Sequence, residues 1–523
     1  MMKRSYTIVV ASAFAALLVT GCRVGPKYHV PPAVATAPPV SYKESPTQFA
    51  EQDGWKVAQP QDAMLHGKWW EIYEEPELDA LEEQVNINNQ NIRVSFANFM
   101  ASRAIIAQAR SQLYPTVGTN PTYTRSKSSA NLTNATGNAS SIATGNTGTG
   151  TTAGTVTSTG RQSSIGSLPL DVTWEPDLWG RIRNTIRENQ YNAQLSAADL
   201  ENERLTEHAS LAIYFFELRG QDALKQIYDE TIEADRKSLE YTQAQYELGI
   251  GDRISVVEAE NTLQNATAVS INLGVARAQY EHAIAMLIGT TASTFSVPVR
   301  PLLKIPPAVP IGLPSQLLER RPDIAATERN MASANAQIGV ADAAFYPSLT
   351  LSATGGFESS TFKHLFDISS RFWTIGPSVS ETLYDAGLRR ATVNQYIAIY
   401  NANVASYRQT VLTAFQQVED NLASVRILQQ QIQQQQLAQQ SAQEFVDLET
   451  ARFQTGIDPY VNLVIAQTTL LSDRQTVASL QVQQVIASVQ LIEALGGGWD
   501  ATQLPTPGQV SKKLTKAETQ LDK

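Results

Sequence analysis

The chain has 523 residues, a length of three to four domains at roughly 150 residues each, and carries 40 Lys+Arg against 50 Asp+Glu for a formal net charge of −10. An acidic chain gains nothing from the counterion release that drives nucleic-acid binding, so DNA and RNA are excluded as partners. Cys22 is the only cysteine, and the five histidines (His29, His66, His208, His282, His364) include no pair at metal-ligand spacing. After residue 22 no run approaches 18 consecutive apolar residues, which excludes a helical multi-span membrane protein.

Residues 1–21 read as a signal peptide. Lys3 and Arg4 precede an apolar run from Ile8 to Val19, too short to span a bilayer. The run ends in Val19-Thr20-Gly21-Cys22, small residues ahead of the lone cysteine, which look like a bacterial lipobox. The expectation is cleavage before Cys22, a lipid on its thiol, and a lipidated segment over 22–67. Arg23 is not the Asp that holds lipoproteins on the inner membrane, so the expected address is the outer membrane.

The rest of the chain is a tandem repeat. Tyr241–Gly249 resembles Leu448–Gly456, Ala285–Gly289 resembles Ile492–Gly496, and Gly180–Arg183 resembles Gly387–Arg390, all at an offset of 207. Upstream, Leu113-Tyr114-Pro115 matches Phe345-Tyr346-Pro347 at 232. The 25-residue excess falls within 126–165, where 33 of 40 residues are Ser, Thr, Gly, Asn or Ala. Such a stretch cannot bury enough apolar surface to order itself and reads as a long exposed loop, facing the cell exterior.

Repeat 1 (68–290) and repeat 2 (316–496) have the same internal order, with a Pro-rich linker at 291–315 and a polar tail at 497–523. A helical stretch (68–112, then 316–344) leads into a β-hairpin (113–178, then 345–384). A helical hairpin follows (180–289, then 387–496), turning at tips 249–255 and 456–462. In the strands Leu349, Leu351, Ala353 and Phe357 alternate with Ser348, Thr350, Ser352 and Thr354. Trp373, Ile375, Pro377 and Val379 alternate with Thr374, Ser378 and Ser380; Leu168, Leu170, Val172 and Trp174 alternate with Asp171, Thr173 and Glu175. One apolar and one polar face fit either a half-buried soluble sheet or a membrane barrel with a wet lumen. Export and the lipid anchor favour the barrel. Two hairpins supply only four strands, whereas a closed membrane barrel needs at least about eight, so the barrel is an oligomer.

Residues 181–248 contain no proline and only Gly220, enough for a helix of roughly 100 Å at about 1.5 Å per residue. Leu211, Phe215 and Leu218 have coiled-coil spacing. The run 429–440, nine Gln in twelve residues, reads as a wetted helix face. Both hairpins turn at glycine, in Gly249-Ile250-Gly251-Asp252 and Gly456-Ile457-Asp458-Pro459. No catalytic motif is present: there is no HExxH, no GxxxxGK and no cysteine nucleophile, and the glycine-rich stretch 137–160 lacks the lysine and helix of a phosphate loop.

The run Gly312-Leu-Pro-Ser-Gln-Leu-Leu-Glu-Arg-Arg-Pro-Asp-Ile324, with Glu328 and Ala344-Phe-Tyr-Pro347, resembles the central signature of outer-membrane efflux proteins. Cys22–Tyr28 resembles the N-terminus of their lipoprotein branch, and the second tip with Ala494–Trp499 resembles the end of their second repeat. The resemblance covers nearly all of 22–499. It implies an α+β membrane protein: a homotrimer whose twelve-stranded β-barrel, four strands per chain, continues into a periplasmic α-helical barrel. The implied role is the exit duct of a tripartite pump. Its partners would be a periplasmic adaptor and an inner-membrane transporter of the resistance-nodulation-division type. It would need no cofactor beyond the lipid on Cys22 and do no chemistry. A duct for secreted polypeptides shares the fold, and a structural coiled-coil lipoprotein is the alternative of another class.

On that resemblance the tip residues Gly249, Gly251, Asp252, Gly456, Asp458 and Pro459 are expected to dock the adaptor. Related ducts often read "LLDAQR" past the second tip, where Asp and Arg help close the periplasmic end. Here the stretch is Leu463-Val-Ile-Ala-Gln-Thr468, so Ile465 and Thr468 replace those charges. The expected gate is an apolar constriction of Val461 and Ile465, with Thr468 and Glu258 beside it; the alternatives are that both residues pack between helices, or that Asp458, Asp252, Arg253 and Glu258 supply charges nearby.

Overall fold

The computed structural model describes residues 23–33, 42–43, 67–127, 162–301, 309 and 317–515. Cys22, most of the loop 126–165, and residues 312–316 of the signature lie outside the described residues.

The chain divides into two compact units, one of Gln108–Ile186, Ile338–Asn394 and the residues up to Gly25, the other of Pro26–Ala107, Arg187–Gln337 and Gln395–Lys523. The first holds an antiparallel sheet. Its strands are β1 (Thr116–Thr119), β2 (Thr122–Lys127), β3 (Gln162–Trp174), β4 (Ser348–Ser359) and β5 (Arg371–Ser380). β1 and β2 both pair with β3, then β4 and β5 follow in order. Thr119 opposes Leu170 and Thr122 opposes Ser167, so the register runs on without an inserted residue. β1 and β2 are therefore one strand, interrupted where Pro121, and Pro169 opposite the adjoining Asn120, offer no amide hydrogen to the ladder. The four-strand reading holds.

The register aligns the alternation of every strand. Val117, Val172, Ala353 and Ile375 form one cross-sheet row, and Trp174, Leu351 and Pro377 another. On the opposite face Asp171, Thr354 and Thr374 align. The apolar face is largely open, with Trp373 76% and Ile375 72% exposed. Among the described residues the outer strands β1/β2 and β5 each pair on one side only.

The second unit is helical. α1 (Pro76–Asn88) and α2 (Gln90–Ser111) precede the sheet in the chain, and α3 (Arg181–Glu247) and α4 (Arg253–Leu287) follow its first hairpin. Then come α5 (Pro322–Ala343), α6 (Leu388–Gln454) and α7 (Tyr460–Ala494). α3 and α6 are both 67 residues long, α4 and α7 both 35, and each pair starts 207 positions apart. α2 and α5 are both 22 residues long, 232 apart. The repeat seen in the sequence is thus a repeat of whole helices. The stretch 68–112, expected as helix throughout, is broken at Asn89. This residue leaves α1 in an extended conformation, and its Oδ1 accepts from the amides of Asn91 (2.9 Å) and Ile92 (3.1 Å) to cap α2.

The predicted seam is buried: Leu211, Phe215 and Leu218 are each fully enclosed, in a core with Trp69, Leu78, Ile284, Ile324, Val411, Val418, Val489 and Leu491. Burying each such side chain contributes about 1.5–3 kcal/mol. The signature is the crosspiece of this core. Arg321 grips Asp323 with both arms (Nε–Oδ1 3.0 Å, Nη2–Oδ2 2.6 Å) and donates to the Ala494 carbonyl and to Gln417 Oε1, each at 2.9 Å. It ties the start of α5 to α6 and the end of α7.

Candidate functional site

The two hairpin tips sit side by side in the helical unit. Tyr241 donates to the Gln454 carbonyl at 2.7 Å, and Phe453 packs against both Tyr241 and Tyr460. Ala259, Phe453, Tyr460 and Leu463 form a small core of their own beneath the turns.

Each turn begins where a glycine takes the left-handed conformation, Gly249 at φ 75° and Gly456 at φ 71°. The same pair of hydrogen bonds closes both helices. Gly249 and Ile250 donate back to Tyr246 and Gln245, and Gly456 and Ile457 to Phe453 and Arg452. Beyond the glycine the repeats differ. In the first, Gly251 lies against Gln245, leaving a Cβ only 3.0 Å of room, and Asp252 caps α4 by accepting from the Ser255 amide at 2.7 Å. That amide holds the Asp252 carboxyl below the usual carboxylate range. In the second, Pro459 occupies the cap position and offers no side-chain bond. Asp458 instead pairs with Arg452 (Nη2–Oδ1 3.0 Å), and the guanidinium lowers its pKa.

Aliphatic side chains cluster around these turns in the open. Leu248 and Ile250 are each 75% exposed, and Ile254 and Ile457 are also uncovered. Sequence reasoning singled out the glycines and charges and passed over these four. The available signal was a large aliphatic residue inside a glycine turn, where a polar one costs less.

Of the expected gate residues, Val461 and Ile465 lie one helical turn apart on an exposed face of α7, while Tyr460, Leu463 and Ala466 are buried. Thr468 lies further along α7 and lines a cavity bounded by α3 and α4. Glu258 is half-buried; burial of Tyr460, with the charges of Asp235 and then Glu258 adding to it, raises the pKa of that tyrosine. The structure thus assembles the tip residues, Glu258 and the start of α7 at one end of the hairpins. Next to Cys22, the Val24 amide donates to the Trp179 carbonyl at 3.1 Å and Asn184 Nδ2 to the Val24 carbonyl at 3.0 Å. No group of three or more His, Cys, Asp or Glu able to hold a metal occurs among the described residues.

Residues 81–290 and 313–497 match the family model described as outer membrane efflux protein. The chain is 30% identical over 491 residues to the toluene efflux pump outer membrane protein TtgC of Pseudomonas putida, covering 93% of this chain and 95% of that protein. The antibiotic efflux pump outer membrane protein ArpC of Pseudomonas putida matches to the same extent. The solved structure of the outer-membrane channel OprN superposes with a TM-score of 0.78 at 27% identity, covering 91% of this chain and 100% of that one.

Proposed function

The chain belongs to the outer membrane efflux protein family and is an outer-membrane efflux channel, and we propose that it is the exit duct of a tripartite pump for small toxic compounds or drugs. The observation that carries this reading is the sheet. Among the described residues, its four strands have unpaired edges and a largely exposed apolar face. In lipid an unpaired strand edge costs several kcal/mol for each unsatisfied backbone group. Three chains supply twelve strands and leave no edge. The row of Val117, Val172, Ala353 and Ile375 then meets lipid, and Asp171, Thr354 and Thr374 line the lumen.

The cargo comes from an inner-membrane transporter and a periplasmic adaptor, and the names of TtgC and ArpC, which refer to toluene and antibiotics, support small organic compounds. The adaptor docks at Gly249, Gly251, Asp252, Gly456, Asp458 and Pro459, with Leu248, Ile250, Ile254 and Ile457 supplying apolar contact. Val461 and Ile465, repeated around the threefold axis, form the periplasmic constriction. A lipid on Cys22 anchors the chain, and the docking of Val24 beside it supports a fixed attachment point.

The test is reconstitution. Purified full-length protein should migrate on a gel as a heat-sensitive trimer, conduct ions in a planar bilayer, and restore toluene and antibiotic tolerance to a strain lacking it. Monomeric migration at every temperature together with no conductance would overturn the assignment.

A further inference from the structure

Near the tips, α3, α4 and α7 border a cavity of about 280 Å³, open to solvent, lined by Tyr228, Thr231, Asp235, Thr262, Gln467 and Thr468 among others. Asp235, 1% exposed, stands twelve residues before the end of α3. Its Oδ2 is buried without a hydrogen-bond partner, and so is Gln467 Oε1. Of the neighbouring groups, Thr231 donates to the Ile227 carbonyl (2.9 Å), Thr262 to the Glu258 carbonyl (3.0 Å), and Gln467 Nε2 gives one hydrogen to Ser238 (3.3 Å). With their hydrogens so engaged, the Thr231 and Thr262 hydroxyls offer lone pairs rather than donors.

Among the described residues, no Lys, Arg or His pairs with Asp235. Lys225 pairs with Asp229, Arg236 with Glu233, and Arg474 with Glu230 and Gln443. Lys237 is exposed, and at i+2 it does not share a helix face with Asp235. A buried carboxylate with no counter-charge is costly, and burial alone lifts Asp235 to about 6. Above that pH the group is ionised and uncompensated.

We propose that this cavity binds a small monovalent cation, an alkali ion or a primary ammonium, held by Asp235, Gln467 and the threonine hydroxyls. One carboxylate among neutral oxygens suits a single positive charge; Ca²⁺ and Mg²⁺ sites draw on more charge or fixed water. The bound cation bridges α3 to α7 close to the small core of Phe453 and Tyr460, and so stiffens the hairpins that carry the tips.

The experiment uses full-length protein in detergent at pH 8, with ionic strength held by tetramethylammonium chloride, whose methylated nitrogen has no hydrogen to donate and cannot approach a carboxylate closely. Thermal unfolding is followed while KCl, and separately methylammonium chloride, replaces it. Wild type should show a saturable rise in Tm, with K⁺ alone identifying an alkali site and methylammonium alone an ammonium site. Asp235→Asn should abolish the rise. Thr262→Val, which keeps the helix and removes one oxygen, should weaken the apparent affinity several-fold, so the proposal stays testable if the Asp235 variant misfolds. The proposal is overturned by an identical salt response in wild type and variants, by no saturable response to either cation, or by a Tm that answers to pH alone.

Discussion

Thr354 donates a 2.8 Å hydrogen bond to Asp171 across the junction of β3 and β4, the ladder that joins the two halves of the repeat within the sheet. Two residues along, Gly356 lies so close to β3 that a Cβ would fall on the Leu168 carbonyl oxygen and 2.9 Å from Pro169 Cα. At Gly355 a Cβ would meet only ordinary contacts, at 3.8 Å or more. Gly356→Ala should therefore force the two repeats apart, costing about 1–3 kcal/mol as overpacking does. It should deplete the heat-sensitive oligomer on gels, while Gly355→Ala leaves its yield near wild type. Equal yields for both variants would show that the junction yields more easily than its geometry suggests.

A second prediction concerns the core beside α1. His208 Nδ1 lies 2.6 Å from Glu82 Oε2, its Nε2 lies 3.1 Å from Asn86 Oδ1, and the ring stacks on Trp70 at 4.6 Å. Burial, with the charge of Asp79 adding to it, pushes the Glu82 carboxyl well up; burial pushes His208 down to about 4. Both shifts favour the uncharged pair, in which the carboxyl donates to Nδ1 and Nε2–H donates to Asn86. The stability due to neutral His208 is lost as pH falls from about 6.5 toward 4, while that due to protonated Glu82 is lost as pH rises through its folded pKa. Glu82→Gln preserves the donor and should cost under about 1 kcal/mol at pH 7, whereas Glu82→Ala should cost about 2–4 kcal/mol through the cavity and the orphaned imidazole. Denaturant unfolding of both variants measures this. A Gln variant as damaging as the Ala variant would mean that the pair is ionic.

The third prediction is about the tips in acid. Folding lowers the pKa of both Asp252 and Asp458, so the stability they contribute is present above about 3.8 and lost as pH falls below it. Amide protection over 453–458 should fall only as the pH drops below about 3.8, and Asp458→Asn should reproduce that loss at pH 7. Protection unchanged in Asp458→Asn would assign the turn to Gly456 and its hydrogen bonds alone.

The repeat was legible because it is written locally. A glycine that ends a helix in the left-handed conformation is needed wherever the turn recurs, so Gly249 and Gly456 mark matching helix ends at a fixed offset. The strands were legible because Leu349 to Phe357 alternate with a period of two. The break at Asn89 was not, since its cap is a choice between two backbone paths inside an otherwise helical pattern. Nor were the buried polar groups. His208 becomes a core residue only because Glu82, 126 positions away, meets it, and Asp235 reads as one more solvated charge until three helices close around it. The exposed tip aliphatics Ile250 and Ile457 were visible and overlooked.

The last prediction concerns closure of the duct. The charges nearest the tips are already engaged within the chain, Asp458 by Arg452 and Asp252 by the Ser255 amide. They are poorly placed to form a lock across a threefold axis. On the resemblance drawn from the sequence, Ile465 and Thr468 stand where an Asp–Arg lock would need its two charges, so that lock is not expected here. Val461 and Ile465, by contrast, are 43% and 53% exposed in the chain while their neighbours Tyr460 and Leu463 are buried. Three such faces around an axis make a ring that excludes ions by dewetting. Ile465→Ser should then raise single-channel conductance several-fold by wetting the ring, and changing the salt concentration should leave the wild type's opening frequency nearly constant, because screening acts on charges. If opening depends steeply on salt, or Ile465→Ser leaves conductance unchanged, closure belongs to Glu258, Arg253 and the tip carboxylates instead.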